Sequence, residues 1–419
     1  MSSFADAGVG PHTLAALAAL GINEPVSVQV EAIPALMAGR DVVMEAPTGS
    51  GKTLAFLIPM IQRIGAKGAG PRALIVTPTR ELALQVEKVL VSLKTQLRST
   101  VLYGGVGYAT QRLALKGGVD VVVGTPGRIL DMVGQGKLSL SRVEYLVLDE
   151  ADEMLDAGFA PTVERLIGLT YDPQTVLASA TMPEWVSRIA AKHTKEPVQV
   201  RMKKDDREML EHGLVRVGRD QKIQTLSRLL HRHKGSVIVF GRTRHGVKKL
   251  NHHLRQLGHD SVELQGDLSQ AIRDRTMASF REGRSRILVA TNVAARGIDV
   301  DHVGLVVNFE LPDSPQWLTH RVGRTARMGE AGKAMTFITP EDEMAWVKLS
   351  RQGAPDIREL DMRVLLDEGT WRYHEHRPAR VYANSNGTGS SHSSSAPSHT
   401  SARRRPRRWP ARTASSPAS

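Results

Sequence analysis

Short apolar runs alternate with longer amphipathic stretches along most of this chain. In the first half the runs lie at 41–45, 73–77, 101–103, 119–123, 145–148 and 175–179, with valine and leucine the commonest residues. Such runs predict strands covered on both faces, as in a parallel sheet. Between them, 25–39, 54–64, 81–92 and 127–133 carry apolar residues at helical spacing, and the alanine-rich 13–20 reads as the first turns of a further helix. Strands that alternate with helices predict an α/β fold built on a doubly wound, mostly parallel sheet.

A second alternation begins near Glu211, with strands at 236–240, 261–264, 286–290, 303–309 and 333–338 and helices at 246–257 and 269–282. The stretch 197–210 between the two is polar and charged, and predicts a linker. The expected organisation is a domain over 1–200, a linker over 201–210, a second α/β domain over 211–365 and an extension over 366–419. From 384 onward serine, alanine, proline and arginine dominate. That composition buries too little apolar surface to fold.

A length of 419 residues suits two such domains. The chain has no cysteine, which excludes disulfide frameworks, thiolate zinc sites and a cysteine nucleophile, and fits a reducing, cytoplasmic compartment. No apolar run approaches the roughly 18 residues of a membrane span, and no basic-then-apolar leader opens the sequence. Nothing demands a dimer. The net charge of +13 is unevenly spread: residues 1–200 carry 18 Lys/Arg against 19 Asp/Glu, residues 201–383 carry 32 against 24, and residues 384–419 carry six arginines and no acid. A basic second half with a basic tail is the footprint of a phosphate-backbone binder. The tail could equally be a solvated basic segment without a dedicated partner.

Two stretches carry chemistry. After the predicted strand 41–45 comes Ala46-Pro47-Thr48-Gly49-Ser50-Gly51-Lys52-Thr53, followed by an apolar helix. Strand, glycine-rich loop and helix are the context of a phosphate loop, although Ala46 stands where the general pattern has its first glycine. Backbone N–H groups and the helix N-terminus would cradle phosphates, Lys52 would reach the terminal ones, and Thr53 would ligate Mg²⁺. The second stretch is Asp149-Glu150-Ala151-Asp152, at the end of the apolar run 145–148. Acids there point into the crevice where open α/β sheets bind ligands: Asp149 could steady a metal ion and Glu150 activate a water. Alone, they could also be a solvated helix start. Only one half has a phosphate loop, so the nucleotide would sit in a cleft that both halves line.

With these stretches in order, the chain resembles the DEAD-box RNA helicases, a family with two RecA-like domains, over roughly residues 4–338. Phe4, Gly21, Pro25 and Gln29 match its adenine-reading motif. Pro78-Thr79-Arg80-Glu81-Leu82, Gly104-Gly105 and Thr125-Pro126-Gly127-Arg128 match RNA-contacting motifs, and Ser179-Ala180-Thr181 matches the motif that couples the two activities. In the second half Phe240 to Thr243, Gln270 with Arg273, Thr291 to Asp299, and His320 to Gly329 complete the set. Gln29 could pair with both the N6 donor and the N7 acceptor of adenine, or simply tie down its own loop. Arg324 and Arg327 lie three apart and could both meet a γ-phosphate as arginine fingers, or be two solvated arginines. Four positions depart from the family: Ile22 for an aromatic, Val26 for Ser/Thr, Asn292 for a frequent aspartate and Ala326 for a glycine.

The resemblance implies ATP-dependent local unwinding of RNA, or remodelling of RNA–protein complexes. ATP would sit at 48–53 with Mg²⁺ at Thr53 and Asp149, Asp299 would meet the ribose, and Lys52, Glu150, Arg324, Arg327 and His320 would serve hydrolysis. Ser179 and Thr181 would couple it to an RNA track formed by Arg80, Gly105, Thr125, Gly127, Arg128, Thr243, Arg273 and Thr291. Contacts to the backbone would make binding independent of sequence. An ATP-gated RNA clamp or annealing factor, or a DNA translocase on the same two domains, is the alternative. The basic tail could recruit RNA or protein partners.

Overall fold

The computed structural model describes residues 3–64, 70–202, 210–292, 303–326 and 332–362, with Leu366 and Trp371. Each half builds one seven-stranded sheet, and every pairing is parallel. The first contains β1 (Val42–Glu45), β2 (Ala73–Val76), β3 (Ser99–Leu102), β4 (Val121–Gly124), β5 (Tyr145–Asp149), β6 (Gln174–Ser179) and β7 (Val198–Arg201), in the order β3-β4-β2-β5-β6-β1-β7. The second contains β8 (Leu210–Arg216), β9 (Val237–Gly241), β10 (Ser261–Leu264), β11 (Ile287–Thr291), β12 (Leu305–Asn308), β13 (Gly332–Ile338) and β14 (Arg358–Glu359), in the order β10-β11-β9-β12-β13-β8-β14. Subtracting seven from each label turns the second order into the first. The expected doubly wound α/β architecture is present twice.

The apolar runs explain why both faces of each sheet are covered. Side chains alternate across a strand, so Val42 and Met44 enter one core and Val43 the other, while Tyr145 and Val147 separate from Leu146 and Leu148 in the same way. In the second sheet Val237 and Val239 divide from Ile238 and Phe240. Helices such as Lys52–Ile64 and Ala160–Ile167 cover the two faces of the first sheet.

The stretch 197–210 expected as a linker is partly strand. β7 pairs with β1 from Val42↔Val198 to Glu45↔Arg201, and β8 begins at Leu210. β7 is an edge strand with two of its four residues half-exposed or less and two open to solvent, so its Val-Gln-Val-Arg sequence lacks a continuous apolar run. β8 hides a histidine in a sheet interior: His212 bonds to Thr336 Oγ1 at 2.9 Å, and burial pushes its pKa down to about 4. Residues 203–209 and the basic tail from 372 lie outside the described residues. Among the described residues, no helix is long and apolar enough to cross a membrane.

Candidate active site

Because all strands of a sheet run one way, the chain leaves β1, β2, β4, β5 and β6 along a single edge, the place where such sheets bind ligands. The loop after β1 has Gly49 at φ 84° and Gly51 at φ 94°. A Cβ on Gly51 would lie 2.7 Å from both Gln29 Nε2 and Val26 Cγ2, so only glycine lets the loop pass there. Lys52 is buried; its ammonium donates to Ala46 O at 2.6 Å and Pro47 O at 3.3 Å and lies 3.6 Å from Glu150 Oε1. The Thr48 hydroxyl donates to the same Glu150 oxygen at 3.2 Å. Glu150 Oε2 and the Ser50 hydroxyl are buried without a hydrogen-bond partner among the described residues. Thr53, half-buried, follows Lys52 in the first turn of its helix.

Asp149 ends β5, and Glu150 follows with φ 49° and ψ 54°. A left-handed residue other than glycine costs roughly 1–2 kcal/mol, and strain of this kind gathers at functional sites. It turns the chain so that Asp149 and Glu150 stay beside the phosphate loop while Asp152 and Glu153, in the helix Ala151–Asp156, meet the second half. Burial and the neighbouring Glu150 hold the Asp149 pKa well above the usual carboxylate range, with Lys52 pulling the other way. Two buried acids facing one ammonium leave an imbalance that a divalent cation would redress. One carboxylate and one hydroxyl suit Mg²⁺, which takes its other ligands from phosphates and water. Asp149 and Thr53 therefore fit the ion; among the described residues no cluster of three His, Asp or Glu could hold a metal unaided.

The two halves meet immediately beyond. Asp152 Oδ2 accepts from Thr181 N at 2.8 Å and Thr181 Oγ1 at 2.6 Å, and Ser179 Oγ accepts from Asp152 N at 3.2 Å. The expected coupling residues thus grip the acidic tetrapeptide. From the second half, His320 Nε2 approaches Asp152 Oδ2 to 3.4 Å, His320 Nδ1 approaches Glu153 Oε1 to 3.6 Å, and Arg324 Nη2 reaches Glu153 Oε1 at 3.4 Å. All four side chains are at most 5% exposed. Burial alone would lower the His320 pKa, but Asp152, then Glu153 and Glu150, outweigh it and the pKa is raised; burial alone would raise that of Asp152, but His320 and Thr181 outweigh it and it falls.

Two of the residues expected on an RNA track, Arg80 and Arg273, join the halves in a second crossing. Arg80 lies 3.5 Å from Asp274 of the opposite half, and Arg273 bonds Glu81 at 2.8 Å. Thr243 caps the helix Arg244–Gln256 by accepting from Gly246 N at 3.0 Å, and Thr291 ends β11 beside Gly241 of β9. Gly105, at φ 80°, and Gly127 leave open space where a Cβ would be. Thr125 precedes the helix Pro126–Gly134. Arg128 is anchored within its own half, donating to Val106 O at 3.0 Å and stacking over Tyr108 at 4.2 Å. Gln29 is engaged as well: its Oε1 accepts from Val26 N at 3.1 Å and its Nε2 donates to Gly51 O at 3.0 Å. Arg327 and Asp299 lie outside the described residues. Sequence reasoning missed Glu81, Asp152, Glu153 and Asp274 as contacts between the halves; Glu81 and Asp152 stand within the motifs it found, and Glu153 and Asp274 directly follow motif residues.

Residues 26–189 match the family model described as DEAD/DEAH box helicase, and 221–329 that of the helicase conserved C-terminal domain. The ATP-dependent RNA helicase DeaD of Mycobacterium tuberculosis is 40% identical over 378 residues, 88% of this chain and 67% of that protein. The chain belongs to the DEAD-box ATP-dependent RNA helicases. The DEAD-box ATP-dependent RNA helicase CshA of Geobacillus kaustophilus is 40% identical over 348 residues, 82% of this chain and 74% of that one. Among solved structures, S. cerevisiae Dbp5 bound to RNA and ADP BeF3 matches this DEAD-box chain with a TM-score of 0.78 at 30% identity, covering 87% of it and 97% of Dbp5. A DEAD box protein from Methanococcus jannaschii reaches 0.54 at 36% identity, over 86% and 99%. Shape therefore follows the relative that carries RNA and nucleotide, although identity runs the other way.

The departures from the family pattern have physical consequences. Ile22 packs half-buried against the first core, and Val26 lies on Gly51. Asn292 Oδ1 accepts from Arg321 Nε at 2.6 Å, so this buried guanidinium faces a neutral partner; burial pushes the Arg321 pKa down to about 9. Ala326 has φ 53°, in the region that favours glycine. Ala326→Gly is expected to raise stability by about 1 kcal/mol by removing that strain, and denaturant unfolding checks it; an unchanged or lowered midpoint contradicts it.

Proposed function

We propose that the chain hydrolyses ATP in a cleft shared by its halves and uses closure of that cleft to open short RNA duplexes. The observation that carries this is the buried junction of Asp152 and Glu153 with His320 and Arg324, placed directly beside the phosphate loop. It can form only when the halves are together, so whatever holds ATP is linked to whatever aligns the two RNA-facing surfaces.

Lys52 would exchange its carbonyl partners for terminal phosphate oxygens, and the N–H groups of residues 48–53 would hold the rest. Mg²⁺ on Asp149 and Thr53 would offset phosphate charge. Glu150, with one oxygen fixed by Thr48 and Lys52 and the other unpartnered, is suited to take a proton from water. Arg324 would stabilise the charge that develops in transfer; Arg327 as a second finger and Asp299 at the ribose rest on the family resemblance. Gln29 would pair with adenine N6 only by releasing Val26 N. Asp152 carries the state of this site to Thr181 and Ser179. Arg80, Gly105, Thr125, Gly127, Thr243, Arg273 and Thr291 would line the RNA track, with Arg128 shaping it from behind. A division of the chain into two domains at a linker over 201–210 suits two sheets in tandem, and the cysteine-free sequence suits a reducing cytoplasm.

Glu150→Gln is expected to retain ATP and RNA binding while RNA-stimulated ATP turnover is lost; normal turnover in a steady-state phosphate-release assay removes Glu150 as the base. Deleting residues 384–419 is expected to weaken RNA affinity and to lower its dependence on salt without altering the ATPase site. An unchanged affinity and salt slope would mean that the six arginines are not an RNA arm.

A further inference from the structure

Glu153 follows the acidic tetrapeptide and is 1% exposed. An acid in the first turn of a helix is favoured by the dipole, but that role needs no burial. Instead, one oxygen of Glu153 meets two groups of the other half, Arg324 Nη2 at 3.4 Å and His320 Nδ1 at 3.6 Å. Its own place is fixed: Glu153 N donates to Asp152 Oδ1 at 3.1 Å, and Asp152 is held in turn by Thr181. On the far side, Arg324 Nε donates to His320 O at 3.3 Å. Beside the junction lies a small cleft of about 10 Å³ whose lining includes Glu153, Trp317, His320, Arg321 and Arg324. Charges buried as deeply as Glu153 and Arg324 act on one another with little screening.

We infer that Glu153 is a positioning residue for Arg324: it fixes the guanidinium when the halves close, so the finger enters the nucleotide site already oriented. The inference rests on the proposed role of Arg324 in hydrolysis. Arg324 has several rotatable bonds, and a catalytic group is effective only if its geometry is set beforehand. The carboxylate of Glu153 supplies that setting from the half that binds ATP. Position and chemistry are therefore matched across the cleft, and Glu153 need never touch ATP or RNA.

The test is a double-mutant cycle on the full chain with ATP and oligouridylate. Glu153→Gln keeps the shape and removes the charge; it is expected to lower the RNA-stimulated kcat by about 10- to 100-fold, the scale of a misplaced catalytic group. Binding of a fluorescent ATP analogue without RNA should be unchanged, because Glu153 does not touch the phosphate loop, and a merely structural loss would move it. Arg324→Ala should be slower still, and the double variant no slower than Arg324→Ala alone. Full kcat in Glu153→Gln alongside an impaired Arg324→Ala overturns the positioning role and leaves the proposed function standing, as does a double variant in which the two losses multiply. Full kcat in Arg324→Ala instead overturns the role of the finger itself. Should Glu153→Gln fail to fold, Glu153→Asp keeps the charge on a shorter arm, and its partial loss enters the same cycle.

Discussion

Four buried ionisable side chains join the two halves of this molecule: Asp152 and Glu153 on one, His320 and Arg324 on the other. Each must leave water for the junction to form, and the desolvation of such groups can cancel their mutual attraction. The contact therefore specifies one arrangement of the halves more than it glues them. Removing a single partner is the costly event, because the remaining charge is left buried alone. The second crossing, Arg80 with Asp274 and Arg273 with Glu81, is more exposed; Asp274 is 59% accessible. An exposed pair such as Arg80–Asp274 contributes about 0–1 kcal/mol, whereas Arg273 and Glu81 are half-buried. In the proposed function ATP and RNA would tip the halves towards closure, each by binding the closed form better than the open one.

The repeated strand order explains why one nucleotide serves two sheets. β8 occupies in the second sheet the place that β1 holds in the first, yet it leads into Val217-Gly218-Arg219-Asp220 rather than a phosphate loop. The second half keeps the same sheet edge and contributes His320, Arg324, Thr243 and Thr291, but among the described residues no phosphate loop follows β8. In the proposed function the first half would hold phosphate and the second would supply the finger. Glu150 joins the two tasks through its left-handed backbone, which sends consecutive acids to different neighbours.

Much of this was legible beforehand. The central strands are apolar on both faces, so their runs stood out, and the loop at Gly49, Gly51 and Lys52 has a spacing with few other uses. The edge strand β7 and the strand β8 with its half-buried His212 were hidden, because a sheet edge and a neutralised histidine break the apolar pattern. Helices such as Tyr108–Lys116, with exposed Leu113, show weak periodicity. The contacts of Glu81, Asp152, Glu153 and Asp274 could not be read at all, since pairing across the halves depends on how two sheets face each other. Sequence raised, without deciding it, the possibility that Gln29 ties down its own loop, and it could not show that Arg128 is anchored within its own half.

ATP and RNA together are expected to bring the halves into the arrangement described here. The absence of cysteine makes this directly measurable: Leu113→Cys and Met344→Cys lie on opposite halves, at 71% and 82% exposed positions, and accept spin labels in an otherwise unreactive chain. Pulsed dipolar distances should be broad in the free protein and collapse to one narrow distribution when a non-hydrolysable ATP analogue and single-stranded RNA are both present, with neither alone sufficing. A distribution that ignores the pair of ligands would contradict the account.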